Sequence, residues 1–593
     1  MQKIIRQRKI IETTGLPQTI SPLLQRIYTS RGIKHENELQ YSLAQLLKPN
    51  FKGMQDAVSI LADAVVAQAK IMIVGDFDAD GATSSALGVL ALRAMGLQSV
   101  DFLVPNRFEY GYGLTPEIVR VAAAQTPDVI ITVDNGISSI EGVNLARELG
   151  IAVIITDHHL PGELLPDADA IVNPNQPGCP FPSKNLAGVG VIFYVMNALR
   201  AELRSMGWFV ESGITEPNMA SFLDLVALGT VADVVPLDHN NRVLVAQGLA
   251  RMRAGHARSG INAMLEVAGK TTQKIVASDL GFAIGPRLNA AGRLDDMSLG
   301  IQCLLCDSPS LAREMALQLD DLNRDRKAIE GGMQQEALRM LQKQLALDEQ
   351  SLPWGLCLFD ETWHQGVIGI LASRIKDKYH RPTIVFADVG NDEIKGSARS
   401  IPGLHIRDAL DAVAKKHPEL LQKFGGHAMA AGMSLLRNNF DAFTKAFDEE
   451  VRRQLQEEDL QAVIQTDGEL KSDELSMQLA NQLRDAGPWG QHFPEPIFEG
   501  DFFVLQQKLV GDKHLKLLLS LDQQQAGWIE AIAFNIDPTV WPNNAIKKIH
   551  AVYKLDVNEY RGNYSLQLLI DYLEACDPLP ASPLPGGGAL LPT

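Results

Sequence analysis

From about residue 52 to 200, short apolar runs alternate with amphipathic stretches. KIMIVGD (70–76), VDFLVP (100–105), DVIITVD (128–134), IAVIITD (151–157) and DAIVNP (169–174) each read as a buried strand that ends in a polar turn. Helical segments such as SSALGVLALRAMG and SIEGVNLARELG lie between them. Strands alternating with helices predict an α/β domain built on a doubly wound parallel sheet. Residues 205–300 are mainly helical in pattern, and 308–346, rich in Leu, Ala, Gln, Glu, Asp and Arg without an internal Pro, predict a long connecting helix. A second α/β unit begins at 354, with WGLCLFD, GVIGILASRIKDKY and PTIVFAD. From 460 to 575 the texture becomes that of a small β-barrel. The expected divisions are a helical segment at 1–50, the first α/β domain at 51–300, the connecting helix at 301–350, the second α/β domain at 351–455, the barrel at 456–577 and a Pro/Gly-rich disordered tail at 578–593.

Composition narrows the class without naming a function. An apolar content of 46% and a charged content of 21% over 593 residues are those of a soluble globular protein of several domains. No apolar run is long enough for a transmembrane helix, and MQKIIRQRKIIETTG lacks the apolar stretch of a secretory signal, so a cytoplasmic, membrane-free protein is expected. Five cysteines, few and odd in number, fit a reducing compartment; the single CxxC of GIQCLLCD reads as a buried helix face. The net charge of −17 argues weakly against nucleic acid, although a groove can be basic on an acidic protein and a metal cluster needs carboxylates of its own.

The chemistry is concentrated where the strands end. In an open α/β sheet, ligands bind outside the carboxyl ends of the strands. Three predicted strands terminate in GDFDADG (75–81), VDNG (133–136) and TDHH (156–159), and a fourth acidic segment, GTVADVVPL (229–237), follows a helix. Asp76, Asp78 and Asp80 alternate, so in an extended segment they share one side and repel unless cations lie between them. With Asp134, His158, His159 and Asp233 they make an oxygen-rich, nitrogen-containing donor set suited to Mn2+ or Mg2+ rather than to structural zinc. Two such ions about 3.5–4 Å apart activate water and clamp a phosphoryl group.

DFDADG, VDNG, DHH and TVADVVPL, in that order, resemble the motifs of the DHH phosphoesterase superfamily. NRFEYGYGL (106–114), GPRLNAAGR (285–293), WHQGVIGILASRI (363–375), GSARS (396–400) and GGHAMAAG (425–432) are similar to segments of its RecJ family, bacterial 5′→3′ exonucleases specific for single-stranded DNA. The resemblance covers roughly 50–575. It implies a DHHA1-type second domain, an OB-type barrel, and two divalent cations held by Asp78, Asp80, Asp134, His158 and Asp233, with Asp134 bridging. It makes Asp76 a ligand or a ligand's partner and sets His159 toward the scissile phosphate, so Asp80, Asp134, His158 and His159 form the catalytic group and no serine or cysteine nucleophile is needed. It also implies roles in recombination and repair, alongside single-strand-binding protein and a helicase, for a chain acting as a monomer.

Substrate handling falls to other segments. Ser397 and Arg399 are two apart and face one way in extended chain, where the planar guanidinium grips phosphate. GGHAMAAG combines His427 with an expected helix start whose amides would form an anion site, and His364 precedes another. Arg107 reads as a phosphate contact beside the metals. Tyr110 and Tyr112 read as base-stacking or core residues. Arg287, Asn289 and Arg293 are expected in a Gly-bounded turn, on phosphate or paired with Asp295 or Asp296. Two other readings stand beside the exonuclease: a superfamily phosphodiesterase for small molecules or short oligonucleotides, and a non-catalytic DNA-binding scaffold, for which the donor set should show gaps.

Overall fold

The computed structural model describes residues 3–11, 15–105, 110–347, 352–511, 513–522, 527–537, 540–560 and 562–576. The chain divides into two compact units, one of Met1–Ile4, Gln40–Ala462 and Gly490–His492, the other of Ile5–Leu39, Val463–Trp489 and Phe493–Thr593.

In the first unit the runs IMIVG, VIITV and AVIIT become strands β1 (Ile71–Gly75), β3 (Val129–Val133) and β4 (Ala152–Thr156), each buried almost throughout because helices cover both faces. With β2 (Val100–Leu103) and β5 (Ala170–Val172) they form a parallel sheet of order β2-β1-β3-β4-β5. The order reverses between β1 and β3, which opens a crevice at their carboxyl ends. Helices α1 (Ala79–Ala94), α2 (Gly188–Ser205) and α3 (Leu223–Ala232) pack together there. GPRLNAAGR is helical, not a turn: a π-helical turn at Leu280–Ile284 runs into α4 (Gly285–Leu294), where Pro286 starts the helix without losing a bond and the following Leu, Asn and Ala residues extend it.

The connecting helix, α5 (Pro309–Leu347), is 39 residues long. It is tied on one side by Asp320, which meets Arg287 of α4 at 2.7 Å, and on the other by Glu330, 2.8 Å from Arg374 of α6 (Ile368–Tyr379). The second lobe follows with β6 (Leu356–Asp360), β7 (Thr383–Asp388), β8 (Glu393–Arg399), α7 (Ile406–Lys416), β9 (Lys423–Gly426) and β10 (Ala430–Leu436), in sheet order β9-β10-β8-β7-β6. GGHAMAAG therefore lies on a β-hairpin, with Gly425 opposite Gly432 and His427 N–H donating to the Ala430 carbonyl, and not at a helix start. Pairing of its Ala-Ala-Gly end with β8 decides the matter.

The second unit is a closed five-stranded barrel, β11 (Phe498–Val510), β12 (His514–Ser520), β13 (Ile529–Ala533), β14 (Lys548–Tyr560) and β15 (Asn563–Ala575), in the order β11-β12-β13-β15-β14. Residues 5–39 pack with it: Leu23 and Ile27 enter its core. The Arg31 guanidinium, 1% exposed, grips the fully buried Asp467 carboxylate in a fork of 2.8 and 2.9 Å. Breaking a buried pair from one side leaves the other charge stranded, at a cost of about 3–5 kcal/mol. Arg8 Nε, 3.9 Å from the same carboxylate, remains in Arg31→Met, so this variant should lower the stability of the unit by up to that amount in a urea titration, and Asp467→Leu added to it should recover part of the loss. An Arg31→Met variant within about 1 kcal/mol of the parent would show the pair to behave as an exposed one.

Candidate metal centre

Register brings the acidic residues to one level. Gly75 pairs with Val133 and Val133 with Thr156, so the next residue of each strand, Asp76, Asp134 and Asp157, leaves the rim together. The Asp76–Asp80 segment is not extended throughout. It turns at Asp78, whose Oδ1 accepts from the N–H groups of Asp80 (2.9 Å) and Gly81 (3.0 Å) and so caps α1. A short polar side chain that satisfies orphan amides is the usual way to start a helix, and here it converts alternation into convergence. Asp80, in the first turn of α1, is gripped by the N-terminus of α2, where Gly188 N–H donates to Oδ2 at 2.6 Å and Val189 N–H to Oδ1 at 2.9 Å. A side chain at Gly188 would meet Asp134, its Cβ 2.6 Å from that residue's Oδ1. Asp233 caps the C-terminal end of α3.

Three overlapping sets of donors result: Asp76, Asp78 and Asp134; Asp80, His158 and Asp233; and Asp134, His158 and His159, the ligand atoms of each lying within 4.8 Å of one another. Asp134 Oδ1 and His158 Nε2 face each other at 3.1 Å, and neither completes a hydrogen bond. Asp233 Oδ2 is 3.5 Å from the same nitrogen. The imidazole bonds to the Leu186 backbone, and burial with the nearby His159 pulls its pKa down to about 4, so Nε2 offers a lone pair. Two buried lone-pair atoms 3.1 Å apart, neither with a hydrogen-bond partner, fit a cation. The carboxylates agree: burial and Asp78 push Asp80 up to about 7, and burial with the other aspartates, Asp80 foremost, holds Asp134 and Asp233 well above the usual range.

Asp157, absent from the sequence-derived candidates, organises both histidines. Its Oδ1 accepts from the N–H groups of His158 (2.7 Å) and His159 (3.0 Å) and pairs with His159 Nδ1 at 2.8 Å; its Oδ2 accepts from Ile137 N–H at 2.9 Å. Burial opposes a charge on His159, but the Asp157 bond and the fields of Asp157, Asp76 and Asp78 outweigh it and carry the pKa up to about 9. Its position directly before two histidines, at a strand end, was the available signal. Asn289 also escaped notice as a support: its Oδ1 accepts from Ala79 N–H at 2.8 Å and braces the loop between Asp78 and Asp80.

The remaining candidates divide. Tyr112 lies at the cluster, its hydroxyl 3.3 Å from His159 Nε2. From the second lobe His427 stacks on His159, ring centroids 6.1 Å apart. Ser397 and Arg399 lie at the start of α6, where a Cβ on Gly369 would be 2.9 Å from both side chains. The largely buried Arg399 guanidinium bonds Ser397 Oγ and the Ala398 carbonyl, and among the described residues no carboxylate pairs with it. Arg287 is instead committed to Asp320 and the Ala283 carbonyl, not to Asp295 or Asp296. Arg293 reaches the Gly366 carbonyl of the second lobe. Arg107 lies outside the described residues.

Comparison with known proteins gives concordant matches. Family models described as the DHH family N-terminal domain, the DHHA1 domain and the RecJ OB domain match residues 70–230, 353–453 and 466–572. The single-stranded-DNA-specific exonuclease RecJ of Salmonella typhimurium is 55% identical over 571 residues, 96% of this chain and 99% of that protein. Among solved structures, RecJ from Thermus thermophilus in complex with Mn2+ superposes with a TM-score of 0.77 at 27% identity, covering 97% of this chain and 80% of its own. The same protein with Mg2+ gives 0.72 at 25% identity, covering 97% and 79%.

The raised carboxyl pKa values give a signed pH dependence. A carboxyl whose folded pKa is raised favours the fold only while it keeps its proton, so its contribution is whole below about pH 4 and is lost as pH rises through about 7. EDTA-treated protein should lose thermal stability between about pH 5 and 8, and Mn2+ should restore it at the upper end. Asp134→Asn should melt higher than the parent without metal at about pH 8 and respond little to Mn2+. A metal-free parent whose Tm climbs over this range while Asp134→Asn melts lower would overturn the electrostatic account.

Proposed function

The chain belongs to the RecJ family of the DHH superfamily, and from that premise we propose that it digests single-stranded DNA from the 5′ end in recombination and repair. It is a metal-dependent single-strand exonuclease, a phosphodiester hydrolase. The observation that carries the site assignment is the buried pair Asp134 Oδ1 and His158 Nε2, neither with a hydrogen-bond partner, inside three overlapping donor sets.

In this reading Asp76, Asp78 and Asp134 would hold one Mn2+ or Mg2+ and Asp80, His158 and Asp233 the other, with Asp134 and His158 facing each other between the two sets. The ions, when bound, lower the pKa of water and neutralise charge on the phosphoryl oxygens. His159 is kept charged by Asp157 through Nδ1, which leaves its Nε2–H to bond the scissile phosphate or to donate a proton to the leaving oxygen. The Tyr112 hydroxyl lies 3.3 Å from His159 Nε2 and 3.5 Å from the Asp134 carbonyl, where a bound phosphate would take its place on Nε2–H. A 5′ phosphate enters the second lobe, where Ser397, Arg399 and the amides opening α6 supply donors without a competing carboxylate. A monomer in the cytoplasm, working with single-strand-binding protein and a helicase, completes the reading.

The deciding experiment is digestion of end-labelled single and double strands of both polarities, with and without EDTA. Release of mononucleotides from the 5′ end of single strands alone, and none with EDTA, is expected; digestion from the 3′ end would remove the polarity. On short 5′-phosphorylated oligonucleotides Arg399→Ala should raise KM by about tenfold or more, the size of a charge-assisted phosphate contact; an unchanged KM excludes the phosphate role. Asp157→Asn should cut kcat by about 10–100-fold. It should also move the alkaline limb of the kcat profile down from near 9, because His159 loses the partner that holds its proton. A limb that stays in place with kcat intact would take the proton-donor role from His159.

A further inference from the structure

The carboxylates of the cluster are not held alike. Asp78 and Asp80 each accept two amide hydrogen bonds, and Asp76 accepts one from Phe77 N–H at 2.7 Å. Asp134 is packed against Gly188, whose Cβ position lies 2.6 Å from its Oδ1. The Asp233 carboxylate accepts no amide hydrogen bond among the described residues and meets His158 Nε2 at 3.5 Å. Burial and the repulsion of Asp80, Asp78 and Asp76 thus act on a group that no donor restrains.

What places Asp233 is the backbone of the next residue. Asp233 ends α3 with its N–H on the Gly229 carbonyl, and Val234, the first residue beyond, turns the chain with φ +62°. Helices commonly end in this left-handed conformation, but on glycine or asparagine. A β-branched side chain is strained there, because its Cβ crowds the following carbonyl. Among the described residues Val234 is the only valine, leucine or isoleucine with positive φ. No packing offsets the strain, since the side chain is 61% exposed.

The turn is also lightly tied. Val234 N–H reaches the Val231 carbonyl at 3.3 Å, and the next backbone N–H with a partner among the described residues is that of Leu237, on the Gln491 carbonyl at 2.8 Å. Strain and repulsion act in the same direction. A rotation of the Asp233–Val234 junction to ordinary backbone would relieve both, and a cation shared with Asp80 and His158 would oppose it. Strained positions of this kind cluster at ligand clamps and switch segments.

We propose that Val234 is a positioning residue that makes the Asp233 junction a cation-dependent latch: a cation of the Asp80, His158 and Asp233 set draws the carboxylate in against the strain, and the junction relaxes when the cation leaves. Resting on the two-cation reading of the cluster, the latch adds to it a control on one of the two ions. The energy of drawing Asp233 in is taken from the binding of that ion, so the set holds it more weakly than the same ligands would on relaxed backbone.

Full-length protein stripped with EDTA, desalted and titrated with Mn2+, the free ion being read by its EPR signal, tests this with Val234→Gly, Val234→Asn and Val234→Ala. Relief of one left-handed Cβ corresponds to roughly a 5- to 30-fold change in affinity. One of the two binding steps should tighten by that factor in Val234→Gly and nearly as much in Val234→Asn, while the other step stays where it is. Val234→Ala, which keeps the crowded Cβ, should gain less. Asparagine tolerates left-handed backbone without loosening the unfolded chain as glycine does, so it carries the test if the glycine variant folds poorly. Equal affinities in parent, Gly and Asn variants overturn the latch. Weaker binding in the variants also overturns it, because the valine would then be holding the carboxylate in place, as does equal tightening of both steps, which would put the effect on the cluster as a whole. If the parent binds fewer than two ions, the two-cation reading fails instead, so the two failures are distinguishable.

Discussion

The site is built around a repulsion that the fold enforces. Asp76, Asp78, Asp80, Asp134 and Asp233 come from three separate segments, and the ligand atoms of each overlapping donor set lie within 4.8 Å of one another. Two like charges about 4 Å apart cost about 4 kcal/mol at an effective dielectric constant of about 20, and burial raises the cost. The rest of the first domain holds them there regardless. Asp78 is fixed by capping α1, and Asp80 by two amides at the start of α2. Charge-assisted bonds of this type contribute about 1.5–3 kcal/mol each, enough to set the position of a carboxylate but not to cancel its neighbours. The geometry is thus fixed by backbone, and the uncompensated charge is what cations answer.

The same economy separates two adjacent histidines. His158 and His159 share a strand end, and their rings are 4.5 Å apart, yet one is pulled down to about 4 and the other up to about 9. Asp157 explains the difference, since its carboxylate touches the ring of His159 but only the backbone N–H of His158. A neutral imidazole can ligate a metal, and a charged one can donate a proton. Neighbouring titratable groups pushed apart by their surroundings are a signature of divided acid and base roles.

Much of this was legible in the sequence because it depends on local pattern. IMIVG, VIITV and AVIIT are apolar enough to announce buried parallel strands, and the acids that follow them mark the rim. Alternation of Asp76, Asp78 and Asp80 pointed to convergence for an incomplete reason, because the chain turns into α1 at Asp78 and capping, not strand pleat, aims the group. Long-range choices were not legible. Arg287 finds Asp320, which lies on a different helix, rather than the acids eight or nine residues away. GGHAMAAG contains helix-compatible alanines, yet pairing with β8 makes it a hairpin. Residues 5–39 gave no local sign that Arg31 would seek Asp467 in the barrel unit.

A net charge of −17 looks unsuited to a polyanionic substrate, but the average misstates the surface that DNA meets. Part of the excess is invested in the metal cluster, where two divalent ions would bring four positive charges that, with the charged His159, offset the five carboxylates. In the proposed phosphate site of the second lobe the arrangement is the opposite one: Arg399 is partly buried, pairs with no carboxylate among the described residues, and lies at the N-terminus of α6. Burial weakens the guanidinium's hydration and so sharpens its demand for an anion. An acidic protein can therefore bind a phosphodiester chain through a few sites where negative charge is offset locally, and it depends on divalent cations because the carboxylates of the metal site outnumber its one charged imidazole.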